Sequence, residues 1–257
     1  MKLAALAALL CLAGSSCATY RVLGKTGDGS DIVQIRLKFV NAYLIKSKRP
    51  VLIDPGAPFD LYKLKHALKE NGVRLEDIAL VILTHGHADH AAQGADLQKT
   101  YGIKIAAGSG DVGMLADGHN DDLKAQYFSA RLIRPLIDFR FDPYKPDLVI
   151  PGQGGESLDL RPYGIQGRAI QMPGHTPGSV VVTLDDKRVF AGDLMLGGSF
   201  GGALSPESPG EHYYQADPDR NRANIRKLLE QGVQTFYLGH GGPVAAADVR
   251  EAFGFAK

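Results

Sequence analysis

The run Thr84-His85-Gly86-His87-Ala88-Asp89-His90 limits this chain more than any other feature. It follows five apolar residues, 79–83, which read as a strand buried on both faces. Three of the chain's eight histidines fall in these seven residues. His85 and His87 are two apart, so in an extended loop both face one centre. Asp89 and His90 come on the next turn and face a second. A single ion cannot easily take all four side chains, but two adjacent ions can.

Such a loop needs further donors, and three other segments offer them. Pro173-Gly174-His175-Thr176-Pro177-Gly178 follows Ala169-Ile170. Gly192-Asp193 follows Val189-Phe190-Ala191. Gly239-His240-Gly241 follows Phe236-Tyr237-Leu238. Each donor stands at the end of an apolar strand beside glycine, which lets the backbone turn sharply next to a cluster. A lone His-x-His is a weak signal. His-x-His-x-Asp-His with three such partners is a strong one. His66, His119 and His212 lack this setting and read as ordinary polar residues.

The rest of the chain supplies a scaffold. Alternation over 32–37 predicts a half-buried strand, and 40–45 and 50–53 predict two more. Leu61, Leu64 and Leu68 predict a helix over 59–71, stopped by Gly72. A helix over 91–100 and a strand over 103–106 follow. Strands are expected at 158–161, 168–171, 179–184, 189–191 and 235–238, with a helix over 217–231 and a short C-terminal helix. Residues 107–150 are less regular. Arg134-Pro135, Asp142-Pro143 and Lys145-Pro146 break a long helix there, which suggests a substrate-facing insertion. The order predicts two β-rich halves with helices outside, in one domain over 19–257. A net charge of +1, with basic residues scattered, leaves no case for nucleic acid.

Residues 1–18 read as a secretory signal: Lys2, an apolar run from Leu3 to Ala13, then small residues. The run is too short to span a bilayer. Cys17 after Gly14-Ser15-Ser16 is similar to a lipoprotein attachment cysteine, although Gly14 stands where Leu is usual. Cleavage after Ala18 is the other route. The protein is therefore expected to be exported, to the periplasm or as a lipoprotein held to the membrane only through Cys17. Both cysteines, Cys11 and Cys17, lie in this segment. The mature domain then has no thiolate to offer a metal.

The combination resembles the metallo-β-lactamase superfamily over nearly all of the mature chain. The resemblance rests on Asp54 in Ile53-Asp54-Pro55-Gly56, on residues 84–90, and on the His175, Asp193 and His240 segments. It implies an α+β fold, a four-layer αββα sandwich with two metals at one edge between the sheets. His85, His87 and His175 would hold the first ion, and Asp89, His90 and His240 the second. Asp193 would bridge them, and Asp54 would orient the ligands by hydrogen bonds. Asp89 and Asp193 are thereby the candidate catalytic carboxylates, acting around a hydroxide shared by the ions. Nitrogen and carboxylate donors suit two zinc ions, and iron or manganese as well.

Fold and metals do not fix the substrate. Asp at position 193 is similar to the glyoxalase-II-like and lactonase branches, whereas dedicated β-lactamases usually carry Cys or Ser there. Residues 173–178 also look like the glyoxalase-II-like segment. The chain runs only 17 residues past His240, leaving no place for the helical domain that hydroxyacylglutathione hydrolases use. The expected function is an exported hydrolase of a small ester, thioester, lactone or amide. A β-lactam substrate is one alternative, and an iron-dependent sulfur oxidoreductase of the same fold is another. Residues 107–150, the glycines of 197–202, and Tyr127, Phe128, Tyr213 and Tyr214 are candidates for the pocket walls.

Overall fold

A computed structural model describes residues 20–120, 124–152 and 156–255. The signal segment and Cys17 lie outside the described residues. Among those residues no helix is long and apolar enough to cross a membrane.

The first sheet has seven strands in sequence order: β1 (Tyr20–Lys25), β2 (Asp31–Arg36), β3 (Asn41–Lys46), β4 (Val51–Ile53), β5 (Leu80–Ile82), β6 (Ile105–Gly108) and β7 (Leu148–Ile150). Strands β1 to β4 are antiparallel, and β4 to β7 are parallel. The parallel pairs need crossovers. Helix α1 (Leu61–Glu70) makes one; the short α2 (Ala88–Ala91) and α3 (Gly94–Tyr101) make the next. The single helix expected over 91–100 is thus two pieces. Helices α4 (Val112–Asp117) and α5 (Phe128–Ile137) fill the span before β7. α5 runs across Arg134-Pro135, since a proline late in a ten-residue helix ends it soon after without preventing it.

The second sheet contains β8 (Leu158–Asp159), β9 (Gly167–Gln171), β10 (Val180–Leu184) and β11 (Arg188–Gly192). A separate hairpin of β12 (Leu196–Ser199) and β13 (Leu204–Gly210) follows, then helix α6 (Pro218–Glu230). β14 (Thr235–Leu238) and β15 (Val244–Ala245) complete the sheet before helix α7 (Ala246–Ala252). Its order is β15-β14-β11-β10-β9-β8, with β11 and β14 parallel.

Strand alternation sorts the apolar side chains into three layers. Val33, Leu44, Leu52 and Val81 pack outward against Leu64, Leu68 and Leu97 of α1 and α3. Their neighbours Ile32, Ile45, Ile53 and Ile82 face inward, meeting Val180, Val182, Phe190 and Tyr237 of the second sheet. From there Val181, Val189 and Phe236 point out to Ile225, Leu228, Leu229 and Val249 of α6 and α7. Three apolar interfaces separate four layers, helix–sheet–sheet–helix, as expected. β4, β5, β6, β11 and β14 all end at one edge of this sandwich, and the next residues carry the chemistry.

Candidate metal centre

Asp54 leaves β4, residues 84–90 leave β5, His175 lies past β9, Asp193 follows β11 and His240 follows β14. The structure brings the sequence-predicted metal-centre residues to one place. Three groups of donor atoms close up: His85, His87 and His175; His85, His90 and Asp193; Asp89, His90 and His240. In the first group His175 Nε2 and His87 Nδ1 are 3.1 Å apart. In the last, His240 Nε2 is 3.5 Å from both Asp89 Oδ2 and His90 Nε2.

Asp193 Oδ2 sits in the middle. It lies 3.9 Å from His85 Nε2, 3.7 Å from His175 Nε2, 3.5 Å from His90 Nε2 and 3.2 Å from His240 Nε2. Backbone shape permits the approach. A Cβ on Gly239 would stand 2.1 Å from Asp193 Oδ1 and 2.6 Å from His90 Cε1, so only glycine fits.

A layer of acceptors fixes the rings. His90 Nδ1 is 2.9 Å from Asp54 Oδ2, and His175 Nδ1 is 2.8 Å from Tyr214 O. His240 Nδ1 is 2.8 Å from Phe39 O, and His85 Nδ1 is 3.1 Å from Thr84 Oγ1. Each contact places a proton on Nδ1 and turns Nε2 toward the cluster. Asp54 also accepts from the Thr84 N–H at 2.7 Å and hydroxyl at 2.6 Å. Its φ of 54° is rare for a residue with a side chain, and it is held by these bonds and by its N–H to Ile82 O.

The second sheet is pinned to the first at the same edge. Asn41 Nδ2 donates to Leu238 O and Gly241 O at 2.9 and 2.7 Å, and the Tyr43 hydroxyl donates to Leu238 O at 2.7 Å. These bonds hold the His240 loop in place. Val180 N–H donates to Thr84 O at 2.6 Å, which holds the other loop.

Charge is divided unevenly. Burial, then the neighbouring imidazoles, pushes His85 and His175 well below the usual histidine range. Burial also opposes charge on His90 and His240, but Asp193 and Asp89 overcome it. His90 is held well above its usual range, and His240 is raised to about 10. The same pairs override burial at Asp193 and Asp89 and hold both carboxyls below the usual range.

This donor set fits a divalent metal. His85 Nε2 and Asp193 Oδ1 are buried with no hydrogen-bond partner among the described residues. Ring nitrogens converge on two carboxylates, and the protons on His90 and His240 stand in for positive charge that a cation would supply.

Two residues escaped the sequence reading. His212, read as an ordinary polar residue, is buried in the cluster, its Nε2 3.0 Å from Asp193 Oδ2. With His175 and Asp193 it forms a fourth group of converging donors. It follows β13, whose sequence Leu-Ser-Pro-Glu-Ser-Pro-Gly has two prolines and no apolar run, so nothing local marks a strand end. Asp111 is the other. It is buried, takes the Gly86 N–H at 2.9 Å and the Thr176 hydroxyl at 2.8 Å on Oδ2, and takes the Gly178 N–H at 2.7 Å on Oδ1. It ties the His85–His87 loop to the His175 loop. A signal existed here, since Asp111 follows an apolar strand beside Gly110. Of the remaining histidines, His66 is exposed on α1 and His119 lies 3.1 Å from Asp138.

The pocket candidates divide. Tyr127 and Phe128 are exposed at the start of α5, whereas Tyr214 is buried and gives its carbonyl to His175. The hairpin turn containing Gly201 approaches Phe39 O and the His240 ring.

Residues 35–240 match the family model of the metallo-beta-lactamase superfamily. The chain belongs to that superfamily and is a metal-dependent hydrolase. It is 28% identical over 219 residues to a probable metallo-hydrolase of Methanocaldococcus jannaschii, covering 84% of this chain and 93% of that one. A hydroxyacylglutathione hydrolase of Haemophilus influenzae is 29% identical over 155 residues, 60% of this chain and 65% of that protein. Among solved structures, the class B3 di-zinc metallo-beta-lactamase LRA-12 from an Alaskan soil metagenome superposes with a TM-score of 0.59. It is 19% identical, over 88% of this chain and 82% of that one. That likeness concerns the fold alone.

Proposed function

We propose that the protein is a binuclear hydrolase of a small ester, thioester, lactone or amide. One observation carries this reading: a single carboxylate oxygen, Asp193 Oδ2, lies within 3.9 Å of four imidazole nitrogens drawn from both triads. A side chain so placed would reach two ions at once. His85, His87 and His175 would hold one ion, Asp89, His90 and His240 the other, and zinc suits these donors. When bound, such a pair supplies a nucleophilic water deprotonated near neutral pH and a Lewis acid for the substrate oxygen.

The chain's own residues orient the donors and set the direction of approach. Asp54, Thr84 and the carbonyls of Tyr214 and Phe39 engage Nδ1 of four rings and turn their Nε2 toward the cluster. Asp89 is the most open of the donors in these ion pairs, its side chain 30% exposed, followed by His240 at 11%. Substrate therefore reaches the centre from the side of Asp89 and His240. Phe39 and Phe59 stand exposed on that side, with ring centroids 6.2 Å apart. An apolar rim beside a charged centre supports a small, partly apolar acyl substrate. Export, as read from residues 1–18, belongs to the same proposal.

The test is metal content by plasma mass spectrometry, run with turnover of a lactone, a thioester, a chromogenic cephalosporin and a phosphodiester. About two zinc ions per chain with the lactone or thioester hydrolysed is the expected result. Cephalosporin turnover alone selects the β-lactam alternative. One iron with no hydrolysis overturns the reading in favour of sulfur oxidation.

A further inference from the structure

Exposed aromatic and aliphatic side chains gather on both flanks of the metal centre. On the His240 flank, Phe200 is 80% exposed in the β12–β13 turn, and Phe39 and Phe59 are exposed beside it. The turn and Phe39 are close: a Cβ on Gly201 would stand 3.3 Å from Phe39 O and 4.0 Å from His240 Nδ1. On the other flank, Phe128 is 75% exposed, and Leu132 is exposed too. These two are four residues apart on α5 and share one of its faces. Helix α5 sits over the centre, because the Tyr214 hydroxyl donates to Ala130 O while Tyr214 O receives His175 Nδ1. Phe139, just past α5, joins the flanks. Its ring centroid is 6.2 Å from that of Phe59, which is 6.2 Å from that of Phe39. Single exposed apolar residues are ordinary, but a continuous band of them marks a contact surface.

The band carries long basic side chains. Lys38 Nζ stands 5.0 Å from the Phe39 centroid and 4.9 Å from that of Phe59. Helix α5 holds Arg131 and Arg134 and no acidic residue. Rings flanked by such cations suit the surface of a bilayer, where the rings enter the acyl boundary and the cations reach phosphate.

The path of the chain says what covers the band. Tyr20 of β1 lies opposite Ile35 of β2, and Ile35 lies opposite Ala42 of β3. Tyr20 is therefore two strand spacings, about 10 Å, from Ala42. The next residue, Asn41, holds the His240 loop through Leu238 O and Gly241 O. From Tyr20, β1 runs away to Lys25, which lies opposite Asp31 at the far end. Residues 1–19 thus join the domain at the metal-centre edge. Cys17 is three residues before Tyr20 and within about 11 Å of it by any path. A lipid on Cys17, or the apolar run from Leu3 to Ala13, would bring a membrane to this edge and not to the opposite one.

We propose that the metal-centre edge is a membrane-docking face, and that the aromatic band is covered by the surface of a phospholipid bilayer. Docking turns Asp89 and His240, the open side of the centre, toward the lipid. The claim concerns the face and stands without the binuclear reading, which metal content and turnover decide separately.

The chain contains no tryptophan, so a single introduced indole reports its own surroundings. The full chain, as an exporting host processes it, carries Phe200→Trp, Phe128→Trp or Tyr163→Trp. Tyr163 marks the opposite edge, where the Arg49 guanidinium of the β3–β4 turn stands 4.8 Å from its ring centroid. Each protein is mixed with vesicles of phosphatidylethanolamine and phosphatidylglycerol, with plain or dibrominated acyl chains. Phe200→Trp and Phe128→Trp are expected to shift to the blue on plain vesicles and to lose most of their emission to the brominated lipid. Tyr163→Trp should do neither. Water-like emission at both flanks overturns the proposal, and quenching confined to one flank overturns a face made of both. Equal quenching at all three positions overturns it in favour of adsorption without orientation. A blue shift without vesicles that grows with protein concentration overturns it in favour of a second copy of the chain covering the band.

Discussion

Around Asp193 the His85, His87 and His175 side differs from the Asp89, His90 and His240 side in charge and in exposure. His85 and His175 are pushed down by burial and by one another, so they are neutral before any ion arrives. His90 and His240 sit among Asp193, Asp89 and, for His90, Asp54, so they hold protons. The first side is sealed, and the second opens to solvent through Asp89. One cluster thus pairs a site ready for metal with a site that must first release protons. The ready side should fill first and hold its ion more tightly near neutral pH.

Removing the residue common to both sides should have the largest effect. Asp193→Ala is expected to lower hydrolysis by about 10³-fold, the scale of losing a principal electrostatic group, and to empty both sides. Asp193→Asn keeps the shape and should lose activity nearly as fully, which separates chemistry from folding. An Asp193→Ala protein that keeps metal on the first side, read by mass spectrometry, would show that the sides are less coupled than one shared oxygen implies.

The next effect is a pH dependence confined to one side. His240 is raised from its ordinary 6.5 to about 10, so it is protonated across that window and a metal must displace the proton. His90 is raised too. Two displaced protons make affinity for the second ion rise about 100-fold per pH unit near neutrality. Affinity for the first ion should vary less there, because His85 and His175 are neutral and need release no proton from Nε2. Competition with a chelator at pH 6.5, 7.5 and 8.5 measures both slopes, and equal slopes would break the comparison. The same shift has a stability consequence in the metal-free protein. A raised pKa contributes stability that is fully present below the unfolded value and is lost as pH rises through about 10. Metal-free Tm should therefore fall between pH 7.5 and 10, and metal-loaded Tm should not.

The dense side of this centre was legible in the sequence, and the dispersed part was legible only where it repeated one grammar. Residues 84–90 carry four donors in one loop, so their meaning is local. His175, Asp193 and His240 could be read because each ends an apolar strand beside glycine. His212 obeys no such rule: it follows a proline-bearing hairpin and reaches the cluster only through the folding of residues 211–215 over it. Layering was legible only in part: alternation over 32–37 predicts a half-buried strand, whereas Ile32, Val33, Gln34 and Ile35 of β2 are all buried, because helices cover one face of the sheet and the second sheet covers the other. β1 was missed because Gly24 interrupts its pattern, and β7 because three apolar residues between Pro146 and Pro151 look like a loop. The one helix expected over 91–100 split because Asp89 and His90 draw the chain into a turn of its own, α2, before α3 begins.

A smaller effect tests how the second side is oriented. Asp54→Asn can keep its bond to the Thr84 N–H at Oδ1 but presents an NH₂ group where Oδ2 met His90 Nδ1. The ring must then accept at Nδ1, which moves its proton to Nε2 and spoils it as a ligand. Metal affinity on the second side should fall about 10- to 100-fold, with the first side unchanged. Loss from both sides alike would mean that Asp54 acts through Thr84 and His85 as much as through His90.

The smallest effect belongs to the equivalent carboxylate on the first side. Asp111 receives Gly86, Thr176 and Gly178, all backbone or hydroxyl donors, and so braces two loops against each other. Asp111→Asn turns an amide NH₂ toward either Gly178 N–H or Gly86 N–H, leaving one buried donor without an acceptor. The cost should be about 1–3 kcal/mol of stability, measured by urea unfolding of the metal-loaded protein, with turnover within a few-fold of wild type. Asp54 and Asp111 follow β4 and β6, the two strands that flank β5 and its histidine loop in the same sheet. If Asp111→Asn cost metal on the first side as heavily as Asp54→Asn costs it on the second, the ready site would owe its readiness to this carboxylate and not to its neutral rings.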